Sequence, residues 1–253
     1  MNTVTLGWPF AVLVVALTGA AAAATRLAGL GTARHVVIAA TRAVAQLAAV
    51  SLVIGFVLQS LALTALFLTL MVAVAAGTSA HRITGSLRPR GWWTTVPILA
   101  GLVPTMAAIL LSTVMPLEPV AILPTAGILI GGAMTATSIA GRRLTEELTG
   151  HRGSYEAALS LGMSRRDGVT LVGREAAGIA LIPGLDQTRT VGLVTLPGAF
   201  VGVLLAGASP LQAAAVQLLV LTGLLLVQVL AVTVTIELVS AGLLPIGAHP
   251  LDE

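Results

Sequence analysis

Residues 36–80 read VVIAATRAVAQLAAVSLVIGFVLQSLALTALFLTLMVAVAAGTSA. Arg42 is the one charged residue in this stretch, and Gln59 and Ser60 divide it into two apolar runs. An apolar α-helix needs about 20 residues to cross the hydrocarbon core of a bilayer, and both runs are that long. The runs mix Leu, Val, Ala and Gly without the period-two alternation that is typical of a membrane β-barrel. The stretch therefore predicts two membrane-spanning helices.

The whole chain is too apolar for a soluble protein. It has 253 residues, of which 57% are hydrophobic and 9% are charged, whereas a soluble domain carries roughly 25% charged residues. So few polar side chains cannot cover an apolar core of this size in water. We therefore predict an all-α, polytopic membrane bundle of about seven transmembrane helices, which forms one transmembrane domain over residues 1–253. The predicted spans are residues 6–24, 36–58, 61–80, 96–114, 120–140, 191–208 and 213–239.

The arginine residues predict how the chain is oriented. All 13 basic residues are arginine, and all but Arg42 lie in alternate connections between spans. Glu118 is the only charge in the other connections. Because positive residues favour the cytoplasmic side, the N-terminus is predicted to lie outside and the C-terminus in the cytoplasm. The arginines in the predicted cytoplasmic connections are Arg26, Arg34, Arg82, Arg88, Arg90, Arg142, Arg143, Arg152, Arg165, Arg166, Arg174 and Arg189.

Two residue types that the chain lacks narrow its chemistry. There is no lysine, so the chain cannot carry an ordinary Walker A loop, whose lysine contacts the nucleotide phosphates. We expect no cofactor in this chain, and any ATP and Mg²⁺ must be bound by a partner subunit. The absence of cysteine excludes disulfides, thiolate metal sites and cysteine nucleophiles. The net charge of +3 does not indicate binding to nucleic acid, because the arginines flank apolar spans.

The connection at residues 141–190 is the only long polar stretch, and it predicts helices on the cytoplasmic side. A short helix begins near Glu156 and ends at Gly162. Ser164 and Asp167 are three residues apart, which is the spacing of a capping box at the start of a second helix. That second helix is amphipathic, and we expect it to lie at the membrane surface.

Proline and glycine residues predict breaks at two later positions. Pro183 and Gly184 end the second helix of the connection. Asp186 is then expected in the first turn that leads to the sixth span, where a carboxylate favours the helix dipole. Pro197 and Gly198 predict a kink or hinge inside that sixth span.

The short helix carries Glu156, Ala157 and Ala158, then three residues, then Gly162. This pattern resembles the coupling motif of ABC transporter permeases. Small residues and a glycine turn let such a helix enter a groove on an ATPase subunit, and arginines at the rim orient it. The alternative is a solvated connector that rests on anionic lipid. The predicted ATPase contact consists of Glu156, Ala157, Ala158, Gly162, Met163, Ser164, Arg165 and Arg166.

From the second span onward, a series of residues occurs in one order and spacing: Arg42, Ala43, Gln46, Leu47, Pro124, Gly127, Gly131, Ala133, Met134, Arg174, Ala180, Leu181, Ile182, Pro183, Asp186, residues 190–194, Leu196, Pro197, Gly198, Gly202, Ala206, Gly207, Pro210 and Gln217. This series resembles the FetB-type ABC permease family. The resemblance implies a permease that exports iron, related to plant permeases associated with aluminium tolerance, which works with an ABC ATPase subunit and a second copy of itself. Gly132 departs from the family's usual asparagine, and Ala199 and Phe200 stand where methionines are common, so three possible metal ligands are missing.

Polar residues inside the predicted spans are candidates for the translocation path. Arg42 and Gln46 are four residues apart and share one helix face. They either line the path or lock their span to its neighbours, and Arg42 could instead extend back to the membrane interface. On span five, Met134, Thr137 and Ser138 are the path candidates.

Span five also has residues that permit close packing. Pro124, Gly127 and Gly131 allow either a path wall or tight packing at the seam of a dimer. On the last span, Gln217 and Gln228 are expected to make hydrogen bonds between helices.

Two other classes of protein fit the sequence less well. A membrane-embedded enzyme would need acid–base residues at membrane depth, but all four histidines fall in predicted loops or tails, and no aspartate lies in a predicted span. A secondary transporter driven by ions would usually need a mid-membrane carboxylate or histidine. We therefore predict an ABC permease subunit in the cell (inner or plasma) membrane, in contact with lipid and without a metal site of its own. Its predicted cargo is iron or another metal ion, or alternatively a small organic molecule or nucleotide sugar.

Overall fold

The computed structural model describes residues 7–85 and 89–244, and within them the regular structure is helical. Short 3-10 turns occupy Pro89–Thr94 and Ile179–Leu181, and Val191 and Thr195 form an isolated bridge. The α-helices are α1 (Trp8–Leu27), α2 (Ala33–Val57), α3 (Leu61–Thr84), α4 (Thr95–Leu111), α5 (Pro119–Gly150), α6 (Arg152–Ser160), α7 (Arg165–Gly178), α8 (Ile182–Thr190), α9 (Gly198–Leu205) and α10 (Pro210–Ser240).

Seven helical segments among the described residues are long and apolar enough to cross a membrane. The predicted all-α fold with about seven spans is therefore confirmed, while the direction in which the chain crosses the membrane stays a prediction. Leu6, at the start of the first predicted span, lies outside the described residues, as do Arg88 and His249. The candidate spans are Trp8–Leu27, Ala33–Val57, Leu61–Thr84, Gly91–Leu111, Pro119–Gly150, Arg165–Thr190 and Pro210–Ser240.

The sixth span differs from the prediction. Residues 191–208 were expected to cross the membrane, but residues 191–197 are not helical, and α9 has only 8 residues. A helix of that length is about 12 Å long, which is too short to cross a bilayer. Gly192 has a φ of 82°, in the left-handed region that glycine adopts without strain. Pro197, whose ring disfavours helical backbone at the residue before it, stands directly before α9.

The sixth candidate span is instead Arg165–Thr190, which includes α7 and α8. The expected location of α7 at the membrane surface stays a prediction; within the chain, the helix packs against α5 and α10. Its buried face consists of small residues, among them Gly173, where an added Cβ would lie 2.6 Å from Leu144 Cδ2. The small residues on this face let α7 approach α5 closely. The other face of α7 is polar, so the sequence alone did not predict this packing.

The chain forms two compact units, one that ends at Gln59 and one that begins at Ser60. In the first unit, α1 and α2 pack against each other. Gly29 and Gly31, in the turn between them, both have a φ of 67°. Glycine at these positions makes a sharp reversal possible without strain.

In the second unit, α5 and α10 pack against each other, α4 packs against both, and α3 packs against α5 and α4. Ile98, Leu129 and Val227 are fully buried in this core. Gly101 brings α4 so close to α10 that an added Cβ would lie 2.6 Å from the carbonyl oxygen of Val227. Contacts of this kind without side chains between them are typical of helices packed in membranes.

Several arginines of the second unit lie at one end of it. Ile83, near the end of α3, packs on Gly141 of α5, and α5 leads through His151 directly into α6. The last turn of α10 lies at this same end, because Arg166 at the start of α7 contacts Glu237. We call this region the arginine end; it carries Arg82, Arg142, Arg143, Arg152, Arg165 and Arg166.

Candidate functional site

Helix α6 projects from the arginine end directly after α5. It begins at Arg152, four residues before the predicted start, and His151 is the only residue between the two helices. Arg152 Nε donates to Glu156 Oε1 at 2.7 Å, and His151 Nδ1 lies 2.9 Å from Glu147 Oε1. Exposed pairs of this kind contribute about 0.3–0.5 kcal/mol, so they orient Glu156 and do little to hold α6 in place.

The turn after α6 is held by backbone hydrogen bonds. Gly162 has a φ of 85°, its N–H donates to the carbonyl of Leu159 at 2.9 Å, and the Met163 N–H donates to the carbonyl of Ala158 at 3.1 Å. This pair of bonds is the Schellman arrangement that ends many helices at a glycine. The predicted end of the short helix at Gly162 is therefore confirmed.

Helix α7 begins with the predicted serine cap. The Ser164 hydroxyl accepts a hydrogen bond from the Asp167 N–H at 3.2 Å and donates one to Asp167 Oδ2 at 2.6 Å. The Asp167 carboxylate therefore bonds the serine hydroxyl, whereas a full capping box would also bond the serine N–H. With glycine before it and serine at its start, the turn from α6 to α7 is set by local sequence.

Helix α6 has one buried face and one exposed face. Tyr155 and Ala158 are both only 4% exposed, and the Tyr155 ring lies over Gly168 of α7. On the other side Glu156 and Ala157 are exposed, and Leu161 in the following turn is 85% exposed. The exposed face of α6 therefore combines a carboxylate, a small residue and a large apolar side chain.

Arg165 and Arg166 were predicted to contact an ATPase, and the structure places both guanidinium groups against the end of α10. Arg166 Nη2 lies 2.6 Å from Glu237 Oε1. A Cβ added to Gly242 would lie 3.4 Å from Arg165 Cζ, so that guanidinium covers the turn that ends α10. Positive charge at a helix C-terminus is favoured by the helix dipole. The two arginines connect α7 to α10 within the chain.

Two of the three path candidates on span five take part in packing between α3 and α5. Ser138 Oγ lies 2.7 Å from the Met134 carbonyl oxygen and 3.1 Å from Ser79 Oγ, which itself lies 3.2 Å from that carbonyl. Ser79 and Ser138 are buried. Their hydroxyls therefore join two helices, while the Met134 side chain is half-buried.

The remaining path candidates lie in different surroundings. Thr137 is fully buried, and its hydroxyl has no hydrogen-bond partner among the described residues. Arg42 and Gln46 are exposed on α2, in the first unit. The structure does not collect these residues into one pocket within either unit.

The glycines of span five are not equivalent. A Cβ on Gly127 would lie 3.3 Å from Met71 Cε, which is a close approach to α3, whereas Gly131 has open space around it. Open space at Gly131 is compatible with a path wall or a dimer seam, so its predicted role stays a prediction. Gly132, also expected to permit close approach, faces the Leu224 side chain of α10. Pro124 is exposed within α5.

One buried polar contact was missed from the sequence. The Gln228 side chain packs directly on Gly184 of α8, where even a methyl group would overlap its Oε1. Gln228 is 6% exposed, and its Oε1 has no hydrogen-bond partner among the described residues. In the described part of the chain, this amide oxygen therefore does not accept the interhelical hydrogen bond that was expected of Gln228. In the sequence, the adjacent Pro183 and Gly184 predicted only a helix break and gave no sign of the contact with Gln228.

The predicted hinge residues take different roles from those expected. Pro183 stands in the first turn of α8 and starts that helix after the 3-10 turn. Asp186 was expected in the first turn before span six, but it lies in the middle of α8, with Oδ1 3.7 Å from Arg189 Nη1. Pro197 and Gly198 form the start of α9 and do not kink a continuous helix. Asp167 and Asp186 both lie in the candidate span Arg165–Thr190, which was not among the predicted spans.

The described residues contain no group of three or more His, Cys, Asp or Glu side chains that could hold a metal ion. Hard cations can also be bound by backbone carbonyls and hydroxyls.

The sequence profile of the uncharacterised protein family UPF0014 matches residues 8–244. The chain is 41% identical over 180 residues to the UPF0014 membrane protein STAR2 of Oryza sativa subsp. japonica, which covers 68% of this chain and 62% of that protein. It is 36% identical over 179 residues to Protein ALUMINUM SENSITIVE 3 of Arabidopsis thaliana, covering 67% of this chain and 64% of that protein. This chain thus spans just under two thirds of each plant relative.

A bacterial relative carries a more specific name. The chain is 28% identical over 184 residues to the probable iron export permease protein FetB of Escherichia coli (strain K12), covering 71% of this chain and 70% of that protein. No solved structure matches the chain.

Proposed function

Because the chain belongs to the UPF0014 family of membrane proteins, we propose that it is the permease subunit of an ABC transporter. The resemblance to FetB-type permeases is confirmed by this membership and by the relatives themselves. The chain is a multi-pass membrane protein. The proposal adds that ATP is bound and hydrolysed, with Mg²⁺, by a separate ATPase subunit, and that the complex works in the cell membrane.

The exposed face of α6 is the observation that carries the proposal. Leu161 is 85% exposed although α6 is otherwise fixed to the protein through Tyr155. Large exposed side chains next to a small residue such as Ala157 are suited to a groove on a partner protein. In this proposal the arginine end is cytoplasmic, and α6 enters the ATPase there.

The packing around α6 supports transmission of movement into the membrane. Tyr155 rests on Gly168 of α7, and α7 packs against both α5 and α10. A displacement of α6 by closure of the ATPase would therefore act on the two central helices of the second unit. Rigid displacement of packed helices is a common form of switching in proteins.

The proposed assembly contains two copies of this chain and two ATPase chains. The chain has seven candidate spans among its described residues and no lysine for a Walker A loop, so each copy requires a motor subunit. The cargo that we propose is iron or another metal ion that is exported, and the name of the Escherichia coli relative supports it.

A pair of matched variants tests the contact with the ATPase. Leu161→Asp places a charge on the exposed face of α6, and Leu211→Asp places the same charge at a comparably exposed position, 81%, near the start of α10. We expect Leu161→Asp and Glu156→Arg to reduce co-purification of the ATPase at least tenfold, with normal insertion into the membrane. Leu211→Asp should leave co-purification unchanged. Retention of the ATPase by Leu161→Asp and Glu156→Arg would remove α6 from the interface.

The cargo is tested in proteoliposomes that contain the permease and the ATPase. ATP-dependent movement of iron, of other metal ions and of nucleotide sugars is measured separately. Movement of a metal ion alone supports the proposal. Movement of an organic cargo without any metal ion would assign the complex to the alternative class.

A further inference from the structure

The segment between Arg165 and Leu205 contacts α10 at three levels. Arg166 contacts Glu237 near one end of α10, and Gly184 contacts Gln228 farther along. Helix α9 then packs against α10 and joins it through a short turn. At 1.5 Å per residue, the first two contacts are only about 14 Å apart along α10, which is less than the length of α7, about 21 Å, so α7 is not parallel to α10. Helices α8 and α9, about 13 and 12 Å long, cover the part of α10 between Gln228 and its start as an interrupted antiparallel helix.

The interruption lies at membrane depth. Thr190, the last residue of α8, is six residues past Gly184 and therefore about 9 Å farther from the arginine end than the Gln228 contact. The hydrocarbon core of a bilayer is about 30 Å thick, so this level falls within the part of α10 that the core covers. Residues 191–197 therefore break the helix inside the membrane.

The backbone of the interruption is only partly satisfied by the protein. The N–H groups of Gly192, Val194 and Thr195 donate to carbonyls of the same turn. Among the described residues, no donor reaches the carbonyl oxygens of Gly192, Leu193 and Val194. Leu193 is 92% exposed, so the turn projects away from the rest of the chain. Irregular backbone at membrane depth occurs where it is buried in protein or lines a water-filled cavity, and not against lipid.

Two charges stand next to the interruption. The side chains of Asp186 and Arg189, on α8, are 61% and 73% exposed. Charged side chains inside a membrane almost always face the interior of a bundle or an aqueous cavity. The two opposite charges are 3.7 Å apart, so they offset each other while both side chains stay exposed. Water therefore fits this face better than either lipid or a dry contact with a second copy.

We infer that residues 191–197 and the Asp186–Arg189 face of α8 line the water-filled path through the permease. This inference rests on the proposed function, since a path exists only if the protein transports. The lining offers the carbonyl oxygens of Gly192, Leu193 and Val194 and the exposed hydroxyl of Thr195. Oxygen atoms of this kind are the ligands that hard cations contact during passage. The path therefore has a cation-compatible wall at the helix break.

Single cysteines test the inference directly, because the chain has no cysteine of its own. Leu193→Cys and Thr195→Cys are placed in the full chain, reconstituted with its ATPase, and reacted with a charged, membrane-impermeant methanethiosulfonate. Val103→Cys is the control, because Val103 is 58% exposed in the middle of the continuous helix α4. We expect both cysteines in the break to react at least tenfold faster than the control. Thr195→Cys changes little in volume, so it remains informative if Leu193→Cys folds poorly.

Two results would overturn the inference. One is a reaction rate at both break positions no faster than at Val103, which would mean that water does not reach them. The other is a spontaneous disulfide between two copies through Cys at 193 without labelling, which would make the break a dry contact. ATP-dependent cargo movement by the unmodified chain is measured in parallel. Its absence would count against the proposed function, whereas unlabelled break positions in a working transporter would count against this inference alone.

Discussion

The carboxylate of Glu237 lies 2.6 Å from the guanidinium of Arg166, a residue 71 positions earlier in the chain. This ion pair joins the first turn of α7 to the last turn of α10. The neighbouring Arg165 guanidinium covers Gly242, in the turn that ends α10. Both contacts lie at the arginine end, from which α6 also projects. They form a short route from the proposed ATPase contact to a central membrane helix.

Reversal of one charge in this pair is expected to uncouple ATP hydrolysis from transport. Arg166→Glu and Glu237→Arg each place like charges side by side, so α7 no longer pulls on α10. The double reversal restores an ion pair and should recover most of the cargo moved per ATP hydrolysed. Because the pair is exposed, the free energy of unfolding should change little. Transport and ATPase rates in proteoliposomes measure the coupling.

The matched control for this reversal is the ion pair between Arg143 and Glu146, at 2.9 Å within α5. Both of its partners lie on the same helix, so Arg143→Glu removes a comparable pair without separating two helices. We expect coupling to survive that change. Equal loss of coupling in the Arg143 and Arg166 variants would mean that charge at the arginine end matters and the connection to α10 does not.

Gly184→Ala is expected to destabilise the protein by about 1–3 kcal/mol, because the new methyl group overlaps the buried Gln228 side chain. Gln228→Ala in the same chain removes the overlap and should recover much of the loss. Gly178→Ala is the control, since an added Cβ there meets nothing within 4 Å. Thermal unfolding in detergent is measured for the native protein, the Gly184→Ala and Gln228→Ala single variants, the double variant and Gly178→Ala. Additive losses in the double variant would show that the two residues do not constrain each other.

Gly162→Ala is expected to weaken the proposed docking turn. The φ of 85° at Gly162 costs of order 1–3 kcal/mol for a residue with a Cβ. The turn should relax and displace Leu161, so affinity for the ATPase falls. The control is Gly153→Ala, because Gly153 lies within α6 and an added Cβ there meets nothing within 4 Å. This change should be neutral or stabilise α6 by up to about 1 kcal/mol. Binding of the purified ATPase to each variant decides between these outcomes.

Tyr155→Ala is expected to release α6 from α7. The ring is buried over Gly168, and removal of a buried aromatic side chain costs about 3–5 kcal/mol. Limited proteolysis should then cut the chain between residues 150 and 164, where we expect the native protein to resist. Tyr155→Phe keeps the ring and should stay resistant. Resistance of Tyr155→Ala would mean that the ring does not hold α6.

The turn that ends α6 and the cap that starts α7 could be predicted from the sequence, because each depends only on neighbouring residues. A glycine that ends a helix and a serine that caps the next one act within a few residues, so Gly162 and Ser164 were predicted correctly. The ion pair between Arg166 and Glu237 could not be predicted, because it depends on how two helices that are distant in the sequence pack together. The contact between Gly184 and Gln228 was missed for the same reason.

The sequence by itself determined that the chain is a helical membrane bundle, because long apolar runs must satisfy their backbone hydrogen bonds internally in lipid. Only the tertiary structure decided which segment is the sixth candidate span. Hydropathy favoured residues 191–208 for their apolar side chains, but it does not register the φ that Gly192 adopts or how closely the small residues of α7 fit against α5. Close packing, more than side-chain apolarity, placed Arg165–Thr190 beside α10 and left the break where it lies.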